Sequence, residues 1–200
     1  PASAASVLLF SPHPDDECIT GALPLRLLRE AGVRIINVAV TQGSKKERQT
    51  ERYNEVRQAC AFLGFDLIQT RETGIEKLNP VTRTKSPDQW APSVEIIRGI
   101  LAEQSPAMVF LPHDDDWNSS HIGTNMLVRD ALARIPGFTC LVVETEFWRA
   151  MLSPNLMIES TEEDVADLIA ATACHSGEVS RNPYHLGLPS WMHDNVRRGS

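Results

Sequence analysis

Residues His13-Pro14-Asp15-Asp16-Glu17 set one imidazole and three consecutive carboxylates directly behind the apolar run Val7-Leu8-Leu9-Phe10. Carboxylates packed together repel, which raises their pKa values unless a cation sits among them. A polar turn in which Asp15 or Asp16 caps the next helix accounts for one acid and leaves the histidine and the other two unexplained. A divalent ion accounts for the group. His13 and Asp16, three positions apart across a turn, could reach one ion, with Asp15 facing its bound water. A catalytic zinc takes three protein ligands and keeps a fourth position open, so a further ligand is expected at the end of another strand. The stretch Leu111-Pro112-His113-Asp114-Asp115-Asp116-Trp117-Asn118-Ser119-Ser120-His121 also follows an apolar run. Either His113 or His121 could supply the ligand.

The elements that must position these groups alternate along the chain. Short apolar runs at 7–10, 33–41, 66–70, 107–111 and 140–143 read as strands, several rich in β-branched residues. Between them lie helical patterns at 52–63, closed by Gly64, at 93–103 after Pro92, and at 125–135. Thr161-x-x-Asp164 resembles a capping box and opens a further helix to Ala173. Another is expected between Thr20 and Gly32, starting late or bending at Pro24. This alternation predicts a single-domain, Rossmann-like α/β fold over residues 1–200, mainly parallel, with helices on both faces of the sheet. The first motif then lies past a strand's carboxyl end, where open α/β sheets place their ligands. Residues 71–89 carry Gly74, Pro80 and Pro87 without clean periodicity and read as a pocket-shaping loop. The tail from His185 to Ser200 shows no clear periodicity, and its end is open to continuation.

Composition narrows the function classes. The chain of 200 residues carries a net charge of −7, which argues against a nucleic-acid or anionic-membrane surface. No apolar run approaches the ~20 residues needed to span a bilayer, and Pro-Ala-Ser-Ala-Ala-Ser at the start lacks the pattern of a signal peptide. Cys18, Cys60, Cys140 and Cys174 are scattered in or beside apolar segments and form no C-x-x-C pair. They read as reduced core thiols of a cytoplasmic protein. The first strand leads into acids rather than a glycine-rich turn, which disfavours a dinucleotide site.

The motif resembles that of the PIG-L or LmbE-like zinc de-N-acetylases, which carry His-Pro-Asp-Asp-Glu after their first strand. Thr41-Gln42-Gly43 is similar to the family's Thr-x-Gly. Arg52-x-x-Glu55 running to Leu63-Gly64 is similar to its Arg-x-x-Glu helix. Pro112 to His121 resembles its second metal loop, and Glu146-Phe147-Trp148 with Pro154-Asn155 resembles its Glu-x-Trp and Pro-Asn segment. The likeness spans about Val7 to Tyr184. It implies that His13, Asp16 and His121 bind Zn2+, or another divalent ion in its place, that Asp15 is the general base, and that Arg52 holds a polar headgroup of the substrate. Glu17 then orients the ligands or the turn.

One position departs from the pattern. Many members have His-x-x-His in the second loop, whereas this chain has Asn118-Ser119-Ser120-His121. Asparagine can donate a hydrogen bond to an oxyanion but cannot act as an acid at neutral pH. His113 and His175 are sequence-level candidates for the missing positive charge. The resemblance implies release of acetate and a free amino sugar from a small N-acetylated glycoside, by a protein open to homo-oligomer formation. Hydrolysis of another bond, such as a phosphate ester, and sugar binding without turnover are the competing expectations. Of the four tryptophans, Trp117 is the one expected beside the metal.

Overall fold

The computed structural model describes residues 5–199. The signal-peptide reading of the opening residues therefore falls mainly outside the described residues. Five strands form one parallel sheet: β1 (Ser6–Ser11), β2 (Arg34–Ala39), β3 (Asp66–Gln69), β4 (Met108–Pro112) and β5 (Leu141–Thr145). The helices are α1 (Asp16–Ile19), α2 (Ala22–Ala31), α3 (Gln49–Leu63), α4 (Pro80–Lys85), α5 (Pro87–Gln104), α6 (Ser119–Leu132), α7 (Glu162–Ala173), α8 (Ser176–Val179) and α9 (Tyr184–Gly199).

The strand order is β3-β2-β1-β4-β5. The chain winds outward from β1 in one direction, then returns to its other side with β4. Connections therefore leave the carboxyl ends of β1 and β4 in opposite directions and a crevice stays open between them. Register is set at Val7↔Met108, Leu8↔Val109 and Leu9↔Phe110.

Alternation along β1 divides the core in two, since successive side chains point to opposite faces. Leu8 and Phe10 join Val94, Ile97 and Leu101 of α5 and Leu127 and Val128 of α6 on one face. Val7 and Leu9 join Leu25 of α2, Val56 and Cys60 of α3, and Leu168 and Ala171 of α7 on the other. Both faces of β1 are buried, and helices cover both sides of the sheet as expected.

Three segments differ from their sequence reading. Within 71–89, expected to be irregular, lie α4 and the start of α5. Asn79 caps α4 by accepting from the Thr82 N–H, and Pro80 and Pro87 occupy first-turn positions where a missing N–H costs nothing. Helix α5 consequently begins before Pro92 and carries it inside. The tail is also helical. Leu188, Trp191 and Met192 form an i, i+3, i+4 stripe against the core, and Gly187 and Pro189, both poor helix formers, obscure it in the sequence. Helix α6 starts at Ser119 rather than near Asn125, because its first turn is polar and faces the crevice. Where the capping box was read, the structure has one: Thr161 and Asp164 bond reciprocally at the start of α7. The four cysteines are free thiols, Cys18 and Cys60 buried and Cys140 and Cys174 half-buried. Among the described residues, no helix is long and apolar enough to cross a membrane.

A single carboxylate ties the new helices to the sheet layer. Asp130 of α6 accepts from Arg83 Nε and Nη2 at 2.8 and 2.9 Å and from Trp90 Nε1 at 2.8 Å. The Arg83 hydrogen bonds, with help from Trp90, hold the Asp130 carboxyl below its usual range against the opposing effect of burial. Asp130→Ala should lower stability by about 1–3 kcal/mol, mostly by stranding the buried indole N–H, and a shift of the urea midpoint would measure it. The contribution is complete above the unfolded-state pKa of about 3.9 and is lost as pH falls through the lower folded value. Wild type and variant should therefore converge in stability on acidification, whereas a constant gap would assign the effect to packing alone.

Candidate active site

The two expected metal loops meet at the crevice. His13 follows β1 directly, Asp16 opens α1, and His121 stands in the first turn of α6, delivered there by the loop after β4. Asp15 holds the N-cap position of α1 but its side chain makes no capping bond. Capping therefore does not account for the acids. Asp16 instead folds back, its Oδ2 accepting the His13 backbone N–H at 2.7 Å.

Three donor atoms converge. His13 Nδ1 lies 3.3 Å from Asp16 Oδ2, His121 Nε2 lies 3.3 Å from His13 Nδ1, and His121 Nε2 lies 3.5 Å from Asp16 Oδ2. Ligands at about 2.0–2.1 Å around a tetrahedral ion stand about 3.3–3.4 Å apart. The donor set therefore fits one zinc-sized cation, with two imidazoles and one carboxylate as a catalytic zinc prefers. Asp16 and His121 are buried and His13 is 21% exposed, so the approach is from the cleft side. Burial lowers the His121 pKa and keeps the ring neutral, the form that ligates. For Asp16, burial pushes the carboxyl up, but His121 and His13 outweigh it and the net shift is downward.

Supporting contacts surround this set. Asp116, whose role sequence reasoning missed, is buried behind His121 with Oδ1 3.8 Å from His121 Nδ1. Its carboxylate also accepts the backbone N–H groups of Asn118 at 2.7 Å and Trp148 at 3.0 Å. Asp116 thereby locks the second loop to the segment after β5, with its carboxylate beside the His121 ring but beyond hydrogen-bond distance of Nδ1, which is buried without a partner. The signal was present as the third acid of Asp114-Asp115-Asp116, but nothing in the sequence separates it from its two exposed neighbours. His113 is placed elsewhere, its Nε2 bonded to the Arg149 carbonyl at 2.9 Å. Phe147 packs edge-on against the His121 ring with centroids 4.5 Å apart.

Asp15 faces the cleft beside the donor set. Its backbone is in a rare region for a non-glycine residue, with φ 116° and ψ −26°. Burial, then the charges of Asp16 and Glu17, push its carboxyl well above the ordinary range, while Arg52 pulls it back. Arg52, from α3, reaches the cleft and donates from Nη2 to the Pro14 carbonyl at 2.9 Å. Gly43 admits this packing. It has φ 80°, and a Cβ there would lie 2.4 Å from Arg52 Nη1. Asn118 also lines the cleft, but its Oδ1 caps α6 by accepting from Ser120 N at 2.9 Å. Only its amide nitrogen remains to donate inward.

The cleft encloses about 600 Å³, a volume suited to a small molecule. Its outer wall comes from the C-terminal part of the chain. Trp148, 38% exposed, stands 5.2 Å from Tyr184 ring to ring, and Glu178 and Arg181 complete that side. Trp117, the tryptophan expected here, is 76% exposed and does not line the cleft. His175 is fully buried against Glu17 rather than open to the cleft.

A family model described as GlcNAc-PI de-N-acetylase (PIG-L) matches residues 8–132, more than half of the chain. No curated protein matches the sequence significantly. Among solved structures, the chain is similar to the N,N'-diacetylchitobiose deacetylase from Pyrococcus horikoshii, with TM-score 0.70 and 19% identity over 97% of this chain and 80% of that one. It is similar to the A40926 pseudoaglycone deacetylase Dbv21, with TM-score 0.71 and 19% identity over 99% of this chain and 93% of that one. The 4-carboxy-2-hydroxymuconate hydratase GalB from Pseudomonas putida KT2440 is also similar, with TM-score 0.68 and 16% identity over 98% and 88%. At these identities the structural likenesses establish the fold.

His121→Ala should abolish stoichiometric zinc uptake, and Asp116→Ala should weaken it by about 10–100-fold while leaving all three ligands in place. Competition with a chromophoric chelator measures both. Unchanged affinity in the His121 variant would remove that residue from the ligand set.

Proposed function

The chain belongs to the PIG-L family of GlcNAc-PI de-N-acetylases and is an amide-hydrolysing deacetylase; on that premise we propose that it removes the N-acetyl group from a small N-acetylglucosamine-type glycoside. Zinc is the proposed ion, held by His13, Asp16 and His121. The observation that carries the reading is the trio of donor atoms 3.3–3.5 Å apart with the buried Asp15 carboxyl beside them. Mixed imidazole and carboxylate donors accept other divalent ions as well.

A divalent ion bound there would polarise the amide carbonyl and lower the pKa of a coordinated water toward ~7. The protein's own groups do the rest. Asp15 takes the proton of the attacking water and returns it to the leaving amine nitrogen, a base and then an acid at one carboxylate. As charge develops on the carbonyl oxygen, the Asn118 amide nitrogen, left free of the helix cap, would donate a hydrogen bond to it. A neutral amide supplies less stabilisation than a cation, so turnover slower than in relatives with histidine at this position is the expected consequence.

Substrate contacts follow from the cleft walls. Arg52 offers its guanidinium to a polar group remote from the amide, although its bond to the Pro14 carbonyl shows that it also steadies the motif loop. The Trp148 and Tyr184 rings, tilted 40° to one another, offer an aromatic face against which a sugar's C–H groups would pack. Acetate and a free amino sugar are the products.

Acetate release from a panel of N-acetylglucosamine derivatives, by zinc-reconstituted and chelator-treated protein in parallel, tests the reading. Zinc-dependent release supports it. None from any panel member by fully loaded protein would move the assignment toward another reaction, as in the hydratase of the same fold, or toward sugar binding without turnover.

Two variants test the roles. Asp15→Asn should keep its metal and lose about 10²–10⁴-fold in kcat, and full activity would reject it as the base. Arg52→Ala should raise KM by about tenfold or more, the loss of one charge-assisted hydrogen bond worth about 1.5 kcal/mol. A fall in kcat with KM unchanged would confine Arg52 to the motif loop.

A further inference from the structure

We infer that His175 is a positioning residue for Asp15, acting through Glu17; the inference rests on the de-N-acetylase reading above. The Glu17 carboxylate is fully buried and, besides a long contact from the Cys18 thiol to Oε1 at 3.3 Å, has two close partners. Its Oε2 accepts the Asp15 backbone N–H at 3.0 Å, and its Oε1 lies 2.6 Å from His175 Nε2. His175 stands at the start of α8, outside the region the family model matches, and 158 residues from Glu17 in sequence. The contact therefore joins the C-terminal helical segment to the motif turn at the base itself.

Asp15 needs such a tether. With φ 116° it holds a conformation that L-residues rarely adopt, and such conformations persist only where the surroundings over-determine them. The Glu17 carboxylate fixes the Asp15 N–H, so a carboxylate free to rotate would release the backbone that aims the base. His175 removes that freedom, and its own place is set independently. Its backbone N–H bonds the Thr172 carbonyl, and its carbonyl accepts from the N–H groups of Glu178 and Val179. Glu55 of α3 accepts from the Ser176 hydroxyl and the Gly177 N–H, which holds the start of α8 from the other side.

Two other readings of the pair account for less. Cys18 Sγ lies 3.3 Å from Glu17 Oε1 and 3.9 Å from His175 Nε2, and Glu17, Cys18 and His175 offer donor types that metals accept. The 2.6 Å between Oε1 and Nε2 is nevertheless a hydrogen-bond distance, well short of the ~3.3 Å between ligands on one tetrahedral ion. A purely structural pair would sit better as two apolar side chains, because buried ionisable groups are costly to desolvate. Here the cost is compounded, since His175 Nδ1 is buried without a hydrogen-bond partner. The fold tolerates an unsatisfied nitrogen in order to keep Nε2 on Glu17.

The test compares the zinc-loaded wild-type chain with His175→Leu, His175→Asn and His175→Gln. Leucine removes the donor. Asparagine stays polar but is too short to reach Glu17, and serves in its place if the leucine variant does not fold. Both should lower kcat for acetate release by about 10–100-fold, with KM and zinc stoichiometry unchanged. Glutamine, whose amide can donate to Glu17, should recover most of the loss. A second readout needs no turnover: the Asp15 amide N–H, followed by NMR in metal-free protein, should exchange with solvent faster in the leucine and asparagine variants. Wild-type kcat and wild-type Asp15 exchange in a folded variant would overturn the inference, as would loss of zinc in parallel with kcat. If wild-type protein released no acetate at all, the functional reading would fail, while the exchange measurement would still decide whether His175 holds Asp15.

Discussion

The pairing of β1 with β4 is the constraint on which the site depends. These strands are neighbours in space but separated by two other strands in sequence, and their shared register puts two loops at one crevice. Moving β4 by one residue would turn its core face to the wrong side of the sheet. Moving it by two would displace the second loop by about 6.6 Å, twice the spacing between the donor atoms. The hydrophobic alternation that sets the register therefore also sets the ligand geometry. Core residues such as Leu8, Phe10, Val109 and Leu111 position His13 and His121 without touching either substrate or metal.

Negative charge is gathered at the crevice well beyond what an ordinary turn carries, and each buried acid has its own partner. Asp16 turns to the two histidines, Glu17 to His175 and the Asp15 amide, and Asp116 to the backbone of the second loop. Glu178 is bonded by Arg181 and Asn182. Asp15 faces the cleft crowded by like charges and held in an unfavourable backbone conformation. Such a combination raises the cost of the folded state, and costs of that kind cluster at functional sites.

The C-terminal third completes the cleft. The segment after β5 contributes Trp148, and α8 and α9 with their linker contribute Glu178, Arg181 and Tyr184. All four lie outside the region matched to the family, which ends at Leu132. The donor-atom side of the pocket thus lies within the matched region, and the facing wall lies beyond it. The hydratase with the same fold shows how far such a scaffold can diverge in its reaction.

Local pattern was enough for much of this. Apolar runs of strand length alternating with amphipathic segments specify a parallel α/β sheet, because each signal is carried by adjacent residues and needs no partner to be read. The His-Pro-Asp-Asp-Glu cluster after the first strand marks the site for the same reason. Local pattern misled where polar or helix-breaking residues serve a tertiary purpose: the polar first turn of α6, the prolines of α4 and α5, and Gly187 and Pro189 within α9. Residue types alone left His113 and His121 open and the family resemblance pointed to His121; the fold gives the physical reason, since both follow β4 and only the start of α6 returns one of them to the crevice. Tertiary structure alone chose Trp148 over Trp117, singled out Asp116 from three consecutive acids, and brought His175 to Glu17. Each of those outcomes depends on which distant element packs against a side chain. A linear sequence carries that information only through the fold it produces.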